Sequence, residues 1–219
     1  YIKSFPVDET TGLPTVTAEN SPYGQTDYVG RIKLFKGFTD VPAGEFYTDP
    51  VAWAVREGIT NGTGDGTTFS PADELPRAQY VTMLWRAAGE PEATIANPFV
   101  DVKESDFYYD AVLWAFEKGI TTGSDATHFN PSGTLVRQNM VTFLMRFANT
   151  MGIDTTNRAD LSGYTDANQI AAYAQEPMEW AVANGIISGM SATTLGPNVL
   201  ANRAQIAAII QRFVNNFLW

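Results

Sequence analysis

Three stretches of the chain carry apolar residues at helical spacing: Ala78, Val81, Leu84 or Trp85 and Ala88; Val141, Leu144, Phe147 and Ala148; Ile206, Ile209, Ile210, Phe213 and Phe217. The pattern predicts helices beginning near Arg77, Arg137 and Arg203. Their wide apolar faces suit three helices packed on one another at a common centre. Asn202 and Gln205 form a capping box for the third. The first two have Pro76 and Val136 where a cap belongs. A shorter helix precedes each long one. Asp49 is its expected N-cap in the first case, with Pro50 at the first helical position and Pro177 at the matching place in the third. It ends at Gly58, Gly119 or Gly185, each followed by Ile. A left-handed glycine with an apolar residue behind it predicts a Schellman terminus. About two turns long, this helix is marginal alone and needs packing.

The helix pairs belong to a repeat. "FTDV" from Phe38 recurs as "FVDV" from Phe99 and "YTDA" from Tyr164. "WAVREGITNG" from Trp53 recurs as "WAFEKGITTG" from Trp114 and "WAVANGIISG" from Trp180. "FSP", "FNP" and "LGP" follow from Phe69, Phe129 and Leu195. Then come "PRAQYVTMLWR", "VRQNMVTFLMR" and "NRAQIAAIIQR", from Pro76, Val136 and Asn202. The tryptophans fall at intervals of 61 and 66 residues. Each repeat reads as helix, long glycine-rich loop, helix. A loop of that length is functional or pinned by its own side chains, with Phe69 and Phe129 as the pins. The repeats divide the chain into 38–97, 98–157 and 158–219. Residues 1–37 are polar and turn-rich and read as a linker or the tail of a preceding domain, with a weakly alternating "YVGRIKLFKG" that suits a strand. The start has no apolar run of signal-peptide length, which fits a mature chain or a piece of a longer one.

Composition narrows the function classes. The net charge is -10, which disfavours non-specific binding to nucleic acid or anionic membranes. A local arginine cluster still acts on an anion within roughly one Debye length of ~8 Å. No stretch of 18 apolar residues exists, so no transmembrane helix is expected. There is no cysteine and a single histidine, His128, which removes thiolate chemistry and His/Cys metal sites. His128 lies in a loop with no counterpart in the other repeats and reads as a solvated residue, not a triad member. Asp65 in "GTGDGT" falls short of a calcium loop, which needs several spaced oxygen ligands. No cofactor, metal or catalytic set is expected, and the chain is read as a non-enzyme.

The four motif blocks resemble S-layer homology repeats, over residues 38 to about 217. The resemblance implies a mainly α pseudo-threefold module: a central three-helix bundle of second helices, with first helices projecting as prongs. It also implies grooves between repeats that bind secondary cell-wall polysaccharides, often through a terminal pyruvylated sugar, or in some relatives modified peptidoglycan. The implied setting is extracellular, in the bacterial cell wall or S-layer, as part of a larger surface protein. Groove-forming roles are carried over to Arg77, Arg137 and Arg203, to Asp40, Asp101 and Asp166, to Trp53, Trp114 and Trp180, and to Gly62, Gly123 and Gly189 as sites of close backbone approach. The chain departs from the usual Thr-Arg-Ala-Glu. An amide (Gln79, Asn139, Gln205) stands for the acid each time, and Thr is never present.

These residue types suit an acidic sugar. Arginine binds a carboxylate bidentately and stays charged. Tryptophan offers a flat apolar body and an N–H donor. Aspartate accepts from sugar hydroxyls. Each also has a structural alternative: the tryptophans as core, the aspartates as turn caps, the arginines paired to internal aspartates. An arginine at a helix start is electrostatically unfavourable and asks for a reason. Arg86, Arg146 and Arg212, nine residues on, read as partners for terminal carbonyls. The competing function is a structural lattice or oligomer interface without a glycan site.

Overall fold

The computed structural model describes residues 37–218. The expectations for residues 1–36 lie outside that range. The helices are α1 (Thr48–Arg56), α2 (Arg77–Ala87), α3 (Tyr109–Glu117), α4 (Arg137–Thr150), α5 (Gln175–Ala183) and α6 (Arg203–Phe217). Two 3₁₀ turns, Ala167–Gln169 and Ala172–Ala174, precede α5. Among the described residues the only β pairing consists of isolated bridges.

The first helices end as their sequence dictates. Gly58, Gly119 and Gly185 are left-handed, with φ of 72°, 70° and 65°. The amide of each following Ile donates back to Ala54, Ala115 or Ala181, which closes the Schellman motif. The starts differ from expectation. Helix α1 begins at Thr48, and no side chain caps it. Asp49 is its second residue, not its N-cap. Thr48 Oγ1 accepts from the Glu45 amide (3.1 Å) and donates to the Pro42 carbonyl (2.7 Å), so a local turn sets the entry.

The long helices begin at Arg77, Arg137 and Arg203 as expected, and α6 carries the Asn202/Gln205 capping box. The missing caps of α2 and α4 are replaced from another repeat. The Arg77 and Ala78 amides donate to Gly133 and Pro131, and the Arg137 and Gln138 amides to Val199 and Pro197. Helix α6 does likewise, its Arg203 and Ala204 amides reaching Asp73 and Pro71 of the first repeat. Each N-terminus thus satisfies its orphan donors on the loop of the next repeat, and the series closes on itself.

Packing follows the same cycle. Helix α3 lies on α2, α5 lies on α4, and α1 lies on α6. Each short helix is buried against the long helix of the preceding repeat, so the first repeat completes the third. The long helices meet one another through Tyr80 and Phe143, stacked at 6.2 Å, and through Phe147 and Phe213 at 5.4 Å. Tyr80 is fully buried and its hydroxyl donates to the Met140 carbonyl (3.1 Å). One hydrophobic cluster runs through all three repeats, and a satellite of Phe38, Val51 and Phe69 with Ala207 seals repeat 1 to α6.

Candidate functional site

The glycine-rich loops are pinned from both sides. Phe69, Phe129 and Leu195 are completely buried. Each of the repeated aspartates grips two successive loop amides with its carboxylate. Asp40 accepts from Phe69 and Ser70 (2.8 and 2.7 Å), Asp101 from Phe129 and Asn130 (2.9 and 2.8 Å), and Asp166 from Leu195 and Gly196 (2.8 Å each). The aspartates therefore shape the loop, with their acceptor capacity largely committed internally.

The Asp166 anchor has a pH signature. Burial acts to raise its pKa, and the Leu195 and Gly196 N–H bonds outweigh it, so the carboxyl titrates below its ordinary value. Below an ordinary value of ~3.9 the unfolded state then binds protons that the folded state does not. The stabilisation is fully present above that value and is lost as pH falls through the folded pKa. Urea midpoints for the wild type and Asp166→Asn should converge as pH drops from about 5 to about 2. A gap that stays constant over that interval would remove the carboxylate from this role.

The glycines answer to the same loop. A Cβ on Gly62 would stand 2.4 Å from the Phe38 ring and 2.6 Å from the Thr68 carbonyl. On Gly123 it would meet the Asp125 and His128 carbonyls and Phe99, and on Gly189 the Ser191 and Thr194 carbonyls and Tyr164. The close approach is internal: an aromatic ring and a returning loop.

The tryptophans are core residues. Trp53, Trp114 and Trp180 are 3, 2 and 0% exposed. Trp114 meets Phe147 edge-on at 5.9 Å, and Trp180 contacts Phe213 and Phe217. Their indole faces are covered by protein, and this packing offers no ligand-facing surface on them.

The arginines explain their position at the helix starts by reaching away from them. Arg77 Nε donates to the Phe129 carbonyl (3.1 Å), Arg137 Nε to Leu195 (3.1 Å) and Arg203 Nε to Phe69 (2.6 Å). Each stitches its helix to the pinned loop of the next repeat. Arg77 also lies over the Phe129 ring at 5.0 Å, and Arg203 over Phe69 at 4.8 Å. Among the described residues none of the three is within salt-bridge distance of a carboxylate. The internal Asp–Arg pair is not formed, because each aspartate is turned to loop amides. Burial lowers the pKa of all three; Asp101 opposes this at Arg77, Asp73 and Asp40 oppose it at Arg203, and Arg212 reinforces it at Arg137. Arg137 and Arg203 are each only 5% exposed. A buried cation without a counter-ion is costly, and carbonyl oxygens supply only part of the compensation.

Arg86, Arg146 and Arg212 donate at 3.3–3.4 Å to the carbonyls of Ile59, Ile120 and Ile186, at the ends of the short helices. The residues brought together are clearest in the first repeat. There a groove of about 370 Å³ is lined by the loop from Ile59 to Gly64, by Gln79, Thr82, Met83 and Arg86 of the first repeat, by Phe107 of the second and by Arg203 of the third. A second groove of about 340 Å³ lies between α4 and the approach to α5, lined by Thr142, Arg146, Tyr173 and Glu176 among others. The structure thus adds a residue class that the motif reading passed over. Phe46, Phe107 and Tyr173 are 60, 67 and 56% exposed aromatics just ahead of α1, α3 and α5. Each stands seven residues before its repeat's tryptophan. That register was legible; exposure was not.

His128 is half exposed and bonds within its own loop to Asp125 (3.0 Å). Asp65 is spent on the Thr67 amide and hydroxyl. No helix among the described residues is long and apolar enough to cross a membrane.

Known proteins carry the same repeat. The S-layer homology domain family matches three times, at residues 37–81, 98–138 and 163–207. The chain is 33% identical over 165 residues to the surface-layer 125 kDa protein of Lysinibacillus sphaericus, which covers 74% of this chain and 13% of that protein. It is 27% identical over 156 residues to exoglucanase XynX of Acetivibrio thermocellus (71% and 14%) and 25% identical over 183 residues to an S-layer protein of Bacillus thuringiensis subsp. finitimus (83% and 22%). The chain spans less than a quarter of each of these relatives. With three tandem family matches, on a helical fold whose repeats close into a cycle, the chain belongs to the S-layer homology domain family, a family of cell-surface binding modules.

Proposed function

We propose that this chain anchors a larger surface protein non-covalently to an anionic secondary cell-wall polysaccharide, gripped in the grooves between repeats. The observation that carries this reading is the set of three arginines, Arg137 and Arg203 buried and Arg77 half-buried, one at each junction between repeats and none within salt-bridge distance of a carboxylate among the described residues. In the first groove Arg203 and Arg86 line one space together with the exposed ring of Phe107. Two cations suit a sugar carboxylate, such as a pyruvyl group, and an exposed ring suits an apolar sugar face. Local positive charge of this kind acts on an anion despite the net charge of -10, because screening confines the field of the distant acids. The relatives named as S-layer proteins and as a glucanase are consistent with one attachment module carried by different cargo. Within this reading Arg77, Arg137 and Arg203 touch ligand. The aspartates, glycines and tryptophans of the motif act by holding the groove walls.

The test is sedimentation with purified Gram-positive sacculi. The chain should pellet with intact sacculi and stay soluble once the secondary polymer is extracted. Arg203→Ala should weaken binding of soluble polymer fragments by ~2 kcal/mol or more, the typical cost of losing a desolvated charge contact, with the circular dichroism of the fold retained. Undiminished binding to stripped walls would move the ligand to peptidoglycan, and no binding to any sacculus would favour a lattice role.

A further inference from the structure

The grooves place one amide each at the same register of the long helices, Gln79, Asn139 and Gln205, and the three amides do different work. In the first groove Gln79 Oε1 accepts from Arg203 Nη1 at 2.5 Å, which holds the guanidinium at the groove wall. The ring opposite is Phe107, which has no hydroxyl, and the groove runs open from the loop to Arg203. In the third repeat Gln205 is turned back to cap α6, and Arg137 Nη2 donates to the Ser188 carbonyl instead (2.9 Å).

The second groove is different. Asn139 is one methylene shorter than Gln79, and no hydrogen bond joins it to Arg77. It is engaged from across the groove, where the Tyr173 hydroxyl donates to its Oδ1 at 2.5 Å. Tyr173 and Asn139 occupy the places of Phe107 and Gln79, two residues that line the first groove. The bond therefore bridges the second groove from the approach to α5 to the first turn of α4. The space left open is bounded by Tyr173, Thr142 and Arg146, and neither loop 120–124 nor Arg77 lines it. Arg77 Nη2 is buried without a hydrogen-bond partner. A buried guanidinium donor left unpaired is costly and is ready for an acceptor.

We infer that Tyr173 and Asn139 form a latch across the second groove, so that the open first groove fills first and the second takes ligand only when the latch parts. This rests on the grooves being the polysaccharide sites. Tyr173 is 56% exposed and Asn139 half-buried, so the bond lies within reach of a ligand that competes for it. Once it parts, the anion meets Arg77, whose spare donor then gains its partner.

Calorimetry with short single-ended fragments of the secondary polymer, extracted from sacculi that the chain sediments with, tests this. Tyr173→Phe keeps the ring and removes the latch. It should tighten the weaker class of sites roughly three- to tenfold, the factor expected for one hydrogen bond that no longer has to be broken. Arg77→Ala in that background should abolish the gain, while Arg203→Ala should remove the strong site in either background. The reciprocal pair Phe107→Tyr with Gln79→Asn, which installs the latch in the first groove, should weaken the strong site. Unchanged isotherms for Tyr173→Phe, or equal affinity for both grooves in the wild type, would overturn the latch and leave the groove reading standing. Absence of binding by wild type and variant to both fragments and sacculi would overturn the groove reading and the latch with it.

Discussion

Val51→Asp, a single change on the shortest class of helix in the first repeat, is expected to unfold the far end of the chain. Val51 is 1% exposed and lies in the cluster of Phe38, Phe69 and Ala207, where the first repeat meets α6. The side chains of that cluster are apolar, and the cation the structure places against it, Arg203 over the Phe69 ring, is already committed to the Phe69 carbonyl and Gln79. The cost of an uncompensated buried charge, ~3–5 kcal/mol, is a large part of the 5–15 kcal/mol that holds a typical domain together. Because α1 packs on α6, the damage should not stay in the first repeat. Hydrogen exchange should show α6 amides losing protection together with those of α1. Protection lost in α1 alone, with α6 unaffected, would mean that the repeats fold independently and that the closure between first and third repeat contributes little.

Trp114→Ala is expected to have an effect of similar size and to separate two roles for the repeated tryptophan. The side chain is 2% exposed and meets Phe147 edge-on, in the layer where Phe147 also meets Phe213. Truncation of such a residue removes a large buried area and leaves a cavity that neighbours fill only in part, at a cost of ~3–5 kcal/mol. Urea unfolding should show that loss, and Trp114→Phe should recover much of it. Polymer affinity, measured on whatever fraction remains folded, should be nearly unchanged. The opposite outcome, a stable Trp114→Ala protein that has lost its polymer, would return the indole to the ligand site.

The two predictions draw on different kinds of information. The tryptophan's burial rests on local signals that recur: a short helix whose Gly-Ile end returns a hydrogen bond to its own last turn, and an aromatic fixed at one register within it. Such features depend on neighbours within a few residues, so the motif blocks carry them. The helix starts at Arg77, Arg137 and Arg203, the Schellman ends at Gly58, Gly119 and Gly185, the capping box at Asn202 and the buried pins Phe69 and Phe129 were legible in this way. The start of α1 was not, because Thr48 is fixed by a turn with Pro42 and Glu45 that competes successfully with Asp49 as a cap.

The ring closure and the groove chemistry lie on another level. Nothing in the first repeat's own sequence says that α1 will lie on α6, or that the Arg203 guanidinium will hold the Phe69 carbonyl 134 positions away. The motif residues were visible as a set, and their division of labour was not. An aspartate, a glycine and an arginine in one motif are equally compatible with touching a ligand or with building the wall beside it. The choice depends on which donors and acceptors face each carboxylate and guanidinium once the chain has closed. In the folded chain the aspartates meet loop amides, the tryptophans meet phenylalanines, and the arginines meet carbonyls but no acid. The same holds for Gln79 and Asn139, which differ by one methylene in the sequence. That difference becomes an open groove or a latched one only through Phe107 and Tyr173, contributed in each case by the next repeat. By itself the sequence determined the repeat, its helices and their ends, because those follow from backbone hydrogen bonding and apolar spacing over a few residues. The tertiary structure alone decided on which partners these polar groups are spent, because those partners stand 28 to 134 positions away along the chain and are brought to them only when the chain folds.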